Sequence, residues 1–548
     1  MKYIIFSLLF IQSFVFAQEK FLDPLNIPMY LSGSFAELRA NHFHSGIDIK
    51  TNEQENLPVF AVQDGWVSRI KVSPWGFGHA IYITHYNGYT SVYAHLNKFN
   101  KEISNIVLKE QYRRKRFSID KYFKKGEILI KQSDTIAFSG NTGGSGGPHL
   151  HFELRETASQ KPINPLQFNF DIIDTVKPIF RKLVIYNGAN KVFYNPIEKK
   201  HGEYWVKDTI TINDNFEVGI VTKDESNFSK NRLGVNIIQF YLDNKLLYSY
   251  KNEKFSFSET RYANSHIDYE AYKKNKIRIQ KMFVDPGNKL TNYSVYGKYK
   301  QVSCGKIAKG RIEIYDSKNN KSLLYFIVKR ECSNKENVRN DPGIPFKYNQ
   351  ANSFRNKDIE INIPKGALYT NIDFKFDTKI DSNFIGHKVF LIHENTTALQ
   401  KKINIKILKP QVDKLLERKL VIVKKTGKSI SAKSTKIENG FLVTRVKEFG
   451  DYSISIDTLA PKVEIKELDF TKKERTINIK ITDNLSGISS YNGYIDGVWI
   501  LFKYDYKNKR IYYDLDNYVV KKNKQRNFLI KVIDSVGNIT QLERTFLY

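Results

Sequence analysis

The 548-residue chain has little that could hold it in a membrane. A membrane-spanning helix needs about 20 predominantly apolar residues, and the apolar stretch at residues 4–16 is shorter and is interrupted by polar residues such as Gln12 and Ser13. With Lys2 before it and Ala17 after it, that stretch is typical of a secretory signal peptide cleaved before Gln18. We therefore predict a signal peptide over residues 1–17 and an exported protein without a membrane span, in the periplasm or outside the cell.

Cysteine is scarce, with Cys304 and Cys332 alone in the whole sequence. The residue directly after the presumed cleavage point is Gln18 and not a cysteine, which argues against a lipid anchor at the new N-terminus. An exported protein meets an oxidising compartment in which the two cysteines could form a disulfide. Two buried, unpaired thiols are the alternative, because the sequence gives no distance between them.

Acidic residues are outnumbered, with 57 Asp and Glu against 87 Lys and Arg, and the formal net charge is +30. Such a balance favours acidic partners. The lysines form few dense clusters and export removes most nucleic acid from reach, so we predict no nucleic-acid partner; a general bias toward lysine and asparagine explains the charge equally well. Attraction to an acidic envelope polymer remains open. The basic run 113–116 is either a substrate-contacting arm or, as we favour, part of a solvated helix or loop.

The composition predicts a mainly β protein of several domains. A chain this long exceeds one hydrophobic core, and 41% hydrophobic residues, rich in Tyr, Phe, Ile and Thr, favour strands over disorder. Clustered His, Gly and Asp are confined to residues up to about 175. There, strands are predicted at residues 58–62, 65–70, 80–85 and 89–95, with a tight turn at Asn87-Gly88 between the last two.

The C-terminal two thirds contain a repeated phrase and no catalytic constellation. Residues 174–178 (DTVKP) resemble residues 457–463 (DTLAPKV), and an Asp-Asn pair follows each phrase, at 214–215 and at 483–484. The repeat predicts β-sandwich units. We predict an antiparallel-sheet domain that carries the clustered His, Gly and Asp at 18–175, β-sandwich modules at 176–345, a β-rich module at 346–456 and an Ig-like sandwich at 457–548.

Two short segments in the N-terminal domain predict a metal site. His149 and His151 stand at i and i+2 on one predicted strand, so both imidazoles point to the same face. About a hundred residues earlier, His44 and Asp48 supply another imidazole and a carboxylate. Two histidines and one carboxylate would leave a zinc coordination position open.

A further histidine is placed at this site by strand alternation. Along the strand at 89–95, Ser91, Tyr93 and His95 are predicted to share one face, which makes His95 a third candidate. His42, His79 and His85 are interpreted as surface, turn or packing residues. The glycine-rich run at 139–148 is not a phosphate-binding loop, because it lacks the Lys-Ser/Thr ending and leads into a strand.

These segments resemble, in order, the motifs of the lysostaphin and LytM-type zinc metallopeptidases. The resemblance covers residues 33–168 and does not extend to the rest of the chain. It is carried by His44-x3-Asp48, by Val92-Tyr93-Ala94-His95-Leu96, by Ser139-Gly140-Asn141-Thr142-Gly143 and by Gly147-Pro148-His149-Leu150-His151-Phe152-Glu153.

The resemblance implies that His44, Asp48 and His151 bind Zn²⁺, and that His149 and His95 flank the water in the open position. Such a site lowers the pKa of water to about 7. His149 is then the general base and His95 stabilises the oxyanion, although these two roles could be exchanged.

The family's substrate class predicts an exported zinc endopeptidase that cleaves stem or crossbridge peptides of peptidoglycan, with the β modules contacting wall polymer or envelope proteins. Two alternatives remain. One is a non-catalytic envelope adaptor or hydrolase activator that uses the same groove, and the other is a secreted protease acting on glycine-rich proteins.

Overall fold

The computed structural model describes residues 21–188, 190–212, 216–296, 302–332, 343–465, 475–515 and 525–547. The predicted signal peptide at 1–17 and the Asp-Asn pair at 214–215 lie outside these ranges. The chain is mainly β with largely antiparallel sheets, which confirms the predicted fold class. Among the described residues, no helix has both the length and the apolar character needed to cross a bilayer.

The N-terminal domain contains one long helix and many short strands. Its strands are Leu31–Gly33, Leu38–Arg39, His42–Phe43, Ile47–Lys50, Pro58–Phe60, Gly65–Val72, His79–His85, Tyr89–Leu96, Lys98–Phe99, Ile119–Tyr122, Leu129–Ile130, Thr135–Phe138, His149–Glu156 and Pro162–Ile163; the α-helix is Lys101–Arg114 and a 3-10 helix covers Pro165–Gln167.

The second unit is a pair of sheets with three short helical segments. Its strands are Ile179–Asn187, Asn190–Tyr194, Ile197–Lys200, Glu203–Trp205, Ile210–Ile212, Phe216–Ser226, Ser229–Leu233, Ile237–Leu242, Lys245–Lys251, Gln280–Lys281, Tyr293–Tyr296, Ile307–Tyr315 and Lys321–Arg330; the helices are Thr260–Tyr262 (3-10), Ala263–His266 and Tyr269–Asn275.

The third unit forms two five-stranded sheets and a two-stranded one. Its strands are Ile344–Phe346, Asn352–Arg355, Ile359–Ile363, Ile372–Phe374, Phe376–Ile380, Lys388–Ile392, Ala398–Leu408, Leu420–Thr426, Ser429–Ala432, Lys436–Glu438, Phe441–Glu448 and Gly450–Ile456, with 3-10 helices at Ile385–His387 and Glu417–Lys419. Ile344–Phe346 pairs with Ile372–Phe374 and so belongs to this unit.

The C-terminal unit is built from two four-stranded antiparallel sheets. Its strands are Lys462–Ile465, Thr476–Thr482, Ile488–Ile495, Val498–Ile500, Lys503–Asp505, Arg510–Asp514, Gln525–Asp534 and Ile539–Leu547. Isoleucines, phenylalanines and tyrosines from both sheets form one core.

The strand His149–Glu156 is central to the main sheet of the N-terminal domain. It pairs with Ile47–Lys50 on one side and with Tyr89–Leu96 on the other. Leu150, Phe152 and Leu154 are fully buried in the core on one face of the sheet. Strand alternation therefore turns His149, His151 and Glu153 to the opposite face.

The basic segment after Asn97 is helical. Asn100 caps the helix Lys101–Arg114, since its side chain accepts a hydrogen bond from the Ile103 amide at 2.9 Å. Arg113 and Arg114 both form ion pairs with Glu110 of the same helix. The run of basic residues is thus partly neutralised within the helix.

The two cysteines are paired in the structure. Cys304 and Cys332 form a disulfide with their Cα atoms 5.2 Å apart, which lies within the usual range. The bridge ties together the outer ends of the paired strands Ile307–Tyr315 and Lys321–Arg330.

The C-terminal unit packs against the N-terminal domain. Trp499 and Leu501 join the core cluster of that domain, and the ring of Tyr506 lies 4.3 Å from that of Trp75. The Nζ atom of Lys507 donates hydrogen bonds to the carbonyl and side-chain oxygens of Asn141, at 2.6 and 2.8 Å. The C-terminal unit therefore contacts the glycine-rich run at 139–148.

Because two of its histidines are buried, we expect the N-terminal domain to lose folding stability in acid. Burial lowers the pKa of His79 and of His85 from 6.5 to about 4. Between pH 6.5 and 4 the unfolded chain binds protons that the folded domain does not, so stability is lost as the pH falls through this window. We expect a loss of roughly 1 kcal/mol per histidine from about pH 7.5 to about pH 5.5.

Calorimetry at the two pH values tests this expectation. The variant His85→Gln should show a smaller acid-induced drop in Tm than the unsubstituted protein, whereas His201→Gln, which changes an exposed histidine, should show the full drop. Equal drops in both variants would contradict the assignment.

Candidate metal centre

Three side-chain atoms from distant parts of the sequence form a small triangle. The Nε2 atom of His44 lies 3.0 Å from the Nδ1 atom of His151 and 3.0 Å from the Oδ1 atom of Asp48. The third edge, from His151 Nδ1 to Asp48 Oδ1, is 2.9 Å. Ligands of a tetrahedral zinc ion at about 2.0–2.1 Å are separated by about 3.3 Å, so the residues fit a zinc ion after shifts of a few tenths of an ångström.

Strand pairing explains why these atoms meet. Asp48 and His151 are directly opposite in the antiparallel pair of Ile47–Lys50 and His149–Glu156, so their side chains share one face. His44 stands just before the first of these strands. All three side chains are buried, and they are the three residues predicted as ligands.

Each imidazole in the triangle has its other nitrogen held by a hydrogen bond. The Nδ1 atom of His44 donates to the carbonyl of Ser34 at 2.8 Å, and the Nε2 atom of His151 donates to Glu153 at 2.9 Å. These bonds fix both rings so that a lone pair points into the triangle. Such outer contacts are typical of histidine ligands to metals.

Sequence reasoning missed the supporting role of Glu153. This fully buried carboxylate accepts hydrogen bonds from His151, from the Ser45 hydroxyl and from Arg155, whose Nε atom lies 2.6 Å away. Strand alternation could have identified Glu153 from the sequence. It stands two residues after His151 on the same strand, so both side chains lie on one face.

Sequence reasoning also missed Arg39. Its Nη2 atom donates to the Oδ2 atom of Asp48 at 2.9 Å, which leaves Oδ1 for the triangle. A Cβ atom at Gly33 would lie 2.5 Å from Asp48 and 2.6 Å from Arg39, so this ion pair requires glycine there. No motif marks Arg39, since its contact with Asp48 depends on the path of the chain before the first ligand.

His149 and His95 lie beside the triangle. The Nε2 atom of His149 is 3.4 Å from Asp48 Oδ1, and its Nδ1 atom donates to the Gly147 carbonyl at 2.9 Å. His95 donates from Nδ1 to the Thr142 carbonyl at 2.8 Å, and its ring centre is 4.8 Å from that of His149. The structure thus brings together all five residues predicted for the site.

The predicted reason for the position of His95 is wrong. Tyr93 lies opposite Phe152 and points into the core, whereas the site face carries Ala94, which lies opposite His151. Regular alternation would bury His95 beside Tyr93. Instead the pairing with the neighbouring strand is irregular here, and His95 has φ = 60°. This left-handed backbone turns the imidazole to the site face, and such strain is characteristic of functional positions.

The glycine-rich run forms one border of the site. Gly143 has φ = 69°, and a Cβ atom there would lie 2.3 Å from backbone atoms of Gly76 and Gly78. Glycine is required for this close approach of two loops. Thr142 in the same run accepts the hydrogen bond that orients His95.

The electrostatics of the triangle favour a cation. Although burial opposes it, His44 and the other neighbouring histidines hold the pKa of Asp48 well below its usual range. Burial alone would lower the pKa of His151, but its hydrogen bonds to Asp48 and Glu153 raise it to about 9. The site therefore stabilises positive charge between the ligand atoms. Burial, with His151 and His149 nearby, lowers the pKa of His95 to about 3, so this ring is neutral at neutral pH.

The remaining histidines of the domain lie away from the triangle. His42 is exposed and bonds to the Ala40 carbonyl. His79 bonds to the Asn97 carbonyl, and His85 bonds to the Ser91 hydroxyl at 2.7 Å. Their packing and turn contacts agree with their interpretation from the sequence.

Glu153 gives a first prediction for the metal centre. The variant Glu153→Gln keeps the side-chain shape but removes the charge that orients His151, and we expect zinc affinity to fall by roughly 10- to 100-fold. Competition with a fluorescent zinc chelator measures this change. The control is Glu156→Gln on the same strand, whose carboxylate pairs with Lys254 at the surface. A Glu153→Gln variant with unchanged zinc affinity would contradict the assignment.

Comparison with known protein families identifies two segments of the chain. Residues 42–113 match the model of peptidase family M23, and residues 344–457 match the model of a Zu5-like domain. The first match confirms that the N-terminal domain resembles the lysostaphin and LytM-type metallopeptidases. M23 peptidases depend on zinc, and His44, Asp48 and His151 form a possible metal site.

Curated relatives match over the same domain. The DD-carboxypeptidase/endopeptidase Mpg of Neisseria meningitidis serogroup B is 33% identical over 123 residues, which are 22% of each chain. The peptidoglycan DD-endopeptidase ShyB of Vibrio cholerae serotype O1 is 29% identical over 129 residues, or 24% of each chain. The matched part thus spans about a quarter or less of these relatives.

A solved structure also aligns with this part of the chain. The catalytic domain of lysostaphin from Staphylococcus simulans is 23% identical, with a TM-score of 0.19, and the alignment covers 25% of this chain and 90% of that domain.

Proposed function

We propose that the N-terminal domain is a zinc metalloendopeptidase that hydrolyses peptide bonds in the stem or crossbridge peptides of peptidoglycan. The observation that carries the proposal is the triangle of His44, Asp48 and His151, with His149 and His95 on the same face. The M23 match supports the chemistry, and relatives described as peptidoglycan endopeptidases support the substrate class.

The three triangle residues would hold the zinc ion. When bound, zinc supplies Lewis-acid chemistry that polarises a peptide carbonyl and makes water nucleophilic near neutral pH. Two imidazoles and one carboxylate leave a coordination position free, as hydrolytic sites require. Arg39 and Glu153 keep the ligand atoms in place through their bonds to Asp48 and His151.

His149 and His95 are the groups that would move protons and stabilise charge. Each donates from Nδ1 to a backbone carbonyl, which directs the Nε2 side of the ring away from that carbonyl. We assign His149 as the general base, because its Nε2 atom lies 3.4 Å from Asp48 Oδ1. Since His95 is neutral with its proton on Nδ1, its Nε2 atom accepts a hydrogen bond or a proton from a reacting oxygen, and once it has taken up that proton it can donate to the oxyanion.

The surroundings of the site suit an extended peptide. The glycine-rich run at 139–148 has few side chains, so a peptide backbone can approach it closely. We further propose that residues 1–17 direct export and that the protein acts in the cell envelope, as peptidoglycan hydrolysis requires. The basic C-terminal units would then face acidic envelope polymers or proteins.

Digestion of purified sacculi tests the proposed activity. Zinc-loaded mature protein should release uncrosslinked muropeptides, as detected by mass spectrometry, and the masses identify the cleaved bond. A chelator should stop the reaction and added zinc should restore it. His149→Ala should leave the crosslinked muropeptides intact.

Other outcomes distinguish the alternatives. Unchanged muropeptides together with zinc-independent binding to sacculi would replace the proposal with an adaptor or activator role. Unchanged muropeptides together with cleavage of a glycine-rich protein would show a protease with another substrate.

A further inference from the structure

A second cluster of carboxylates lies far from the triangle, at the junction of the third and C-terminal units. Asp457 directly follows the strand Gly450–Ile456, while Asp483 and Asp534 belong to the C-terminal unit. One oxygen of each carboxylate lies within 4.8 Å of the other two. Asp457 is 1% exposed and Asp534 is 2% exposed, so negative charge is concentrated in the interior.

Several oxygens in this cluster have no hydrogen-bond partner although they are buried. They are Oδ1 of Asp457, Oδ1 of Asp483 and the hydroxyl oxygen of Ser486. A buried oxygen without a partner costs about 1–3 kcal/mol, and more when it is charged. The free-energy cost of burying these three oxygens without partners indicates that they bind a ligand in common.

The other carboxylate oxygens are fixed by the backbone. Oδ2 of Asp457 accepts from the Ser486 amide at 2.9 Å, and Oδ2 of Asp483 accepts from the Gly487 amide at 2.7 Å. Oδ1 of Asp534 accepts from the amides of Val536 and Asn538, at 2.9 and 2.8 Å. The carboxylates are therefore held close together by neutral donors.

The second unit repeats part of this arrangement. Oδ1 of Asp316 accepts from the amides of Lys318 and Asn320, both at 2.8 Å. The Asn320 side chain donates to the carbonyl of Asp174 at 3.0 Å. In the C-terminal unit, Asn538 donates in the same way to the carbonyl of Asp457 at 2.9 Å.

The unpartnered oxygens are repeated as well. Oδ1 of Asp224 and the Ser226 hydroxyl are buried without a partner, as are those of Asp483 and Ser486. This arrangement therefore occurs in both units that begin with the repeated phrase, at 174–178 and at 457–463. Among the described residues, the three carboxylates of the C-terminal cluster have ligand atoms that all lie within 4.8 Å of one another, whereas their counterparts in the second unit do not form such a group.

We propose that Asp457, Asp483 and Asp534 bind a divalent cation of the calcium class, with the Ser486 hydroxyl as a further ligand. All these donors are oxygens, which calcium prefers, and zinc sites in contrast favour nitrogen and sulfur. Oxygens around calcium at 2.3–2.6 Å lie at most about 5 Å apart, in agreement with the observed limit of 4.8 Å. The ion would connect the C-terminal unit with the chain segment that directly follows the third unit.

Calorimetric titration of the full-length, zinc-loaded protein with calcium chloride tests the proposal. We expect a saturable binding event that weakens at least tenfold in Asp483→Asn, with the zinc content unchanged. The control is Asp514→Asn, which changes an exposed carboxylate of the same unit that pairs with Lys503 and should bind calcium normally. Calcium should also raise the Tm of the unsubstituted protein.

Hydrogen exchange of the unsubstituted protein keeps the test independent of how the variant folds. Calcium should slow exchange in peptides that contain residues 483–487 and 534–538. Absence of calcium binding, equal calcium affinity in Asp483→Asn, or protection confined to other units would overturn the proposal.

Discussion

Asp48→Asn is expected to abolish zinc binding and, with it, hydrolysis. The substitution keeps the volume of the side chain but removes the charge of the one carboxylate in the triangle, whose Oδ1 atom lies 3.0 Å from His44 and 2.9 Å from His151. We expect zinc affinity to fall by more than roughly 100-fold, since losing even an outer contact of a metal ligand costs 10- to 100-fold. Zinc content after gel filtration and muropeptide release measure the two effects.

The matched control for this variant is Asp120→Asn. Asp120 lies in the same sheet and pairs with Arg69 at the surface, so its replacement should change neither zinc content nor activity. A full equivalent of zinc in Asp48→Asn would show that the Asp48 carboxylate is not a zinc ligand. Circular dichroism of both variants separates metal loss from unfolding.

His149→Ala and His95→Ala are expected to bind zinc normally and yet be almost inactive. Both rings lie beside the triangle without belonging to it, so their removal leaves all three ligand atoms. A positioned general base or hydrogen-bond donor contributes about 10²- to 10⁴-fold to the rate. We expect kcat to fall by that factor in each variant, with little change in KM.

The double variant shows whether the two histidines act together. If His149 and His95 serve the same reaction, the double variant should lose much less than the product of the two single losses. His42→Ala is the control, because that exposed histidine lies outside the site. Activity within threefold of normal in both single variants would contradict the catalytic assignment.

The three residues of the triangle could be found from the sequence because local rules bring them together. The spacing of His149 and His151 on a strand fixes their common face, and the family motifs connect them with His44 and Asp48. Glu153 could have been found by the same alternation. Arg39 could not, since its contact with Asp48 is made by a loop whose path depends on tertiary packing and on Gly33.

His95 shows a limit of reasoning from a regular strand. Alternation assigned it to the site, yet the face it predicted is the buried core occupied by Tyr93. The backbone irregularity at φ = 60° brings the ring to the site. Positive φ at a histidine has no dependable sequence signature, so the sequence argument placed His95 beside the triangle for an incorrect reason.

Contacts between units that are far apart in the chain could not be predicted from the sequence either. The repeated phrase predicted related units, but the Asp-Asn pair at 214–215 lies outside the described residues. The structure instead places Asp224 among the counterparts of the C-terminal cluster. The contact of Lys507 with Asn141 joins residues 366 positions apart, and no periodic pattern specifies such a pairing.

In the proposed metal centre, one zinc ion is held by His44, Asp48 and His151 while His149 and His95 stay free. Anomalous X-ray scattering at the zinc edge, from crystals of the zinc-loaded protein, tests it most directly. We expect one strong peak in the N-terminal domain, at about 2.0–2.1 Å from the three ligand atoms. A peak bound through His95 or His149 in place of one of the three, or no peak between them, would contradict it.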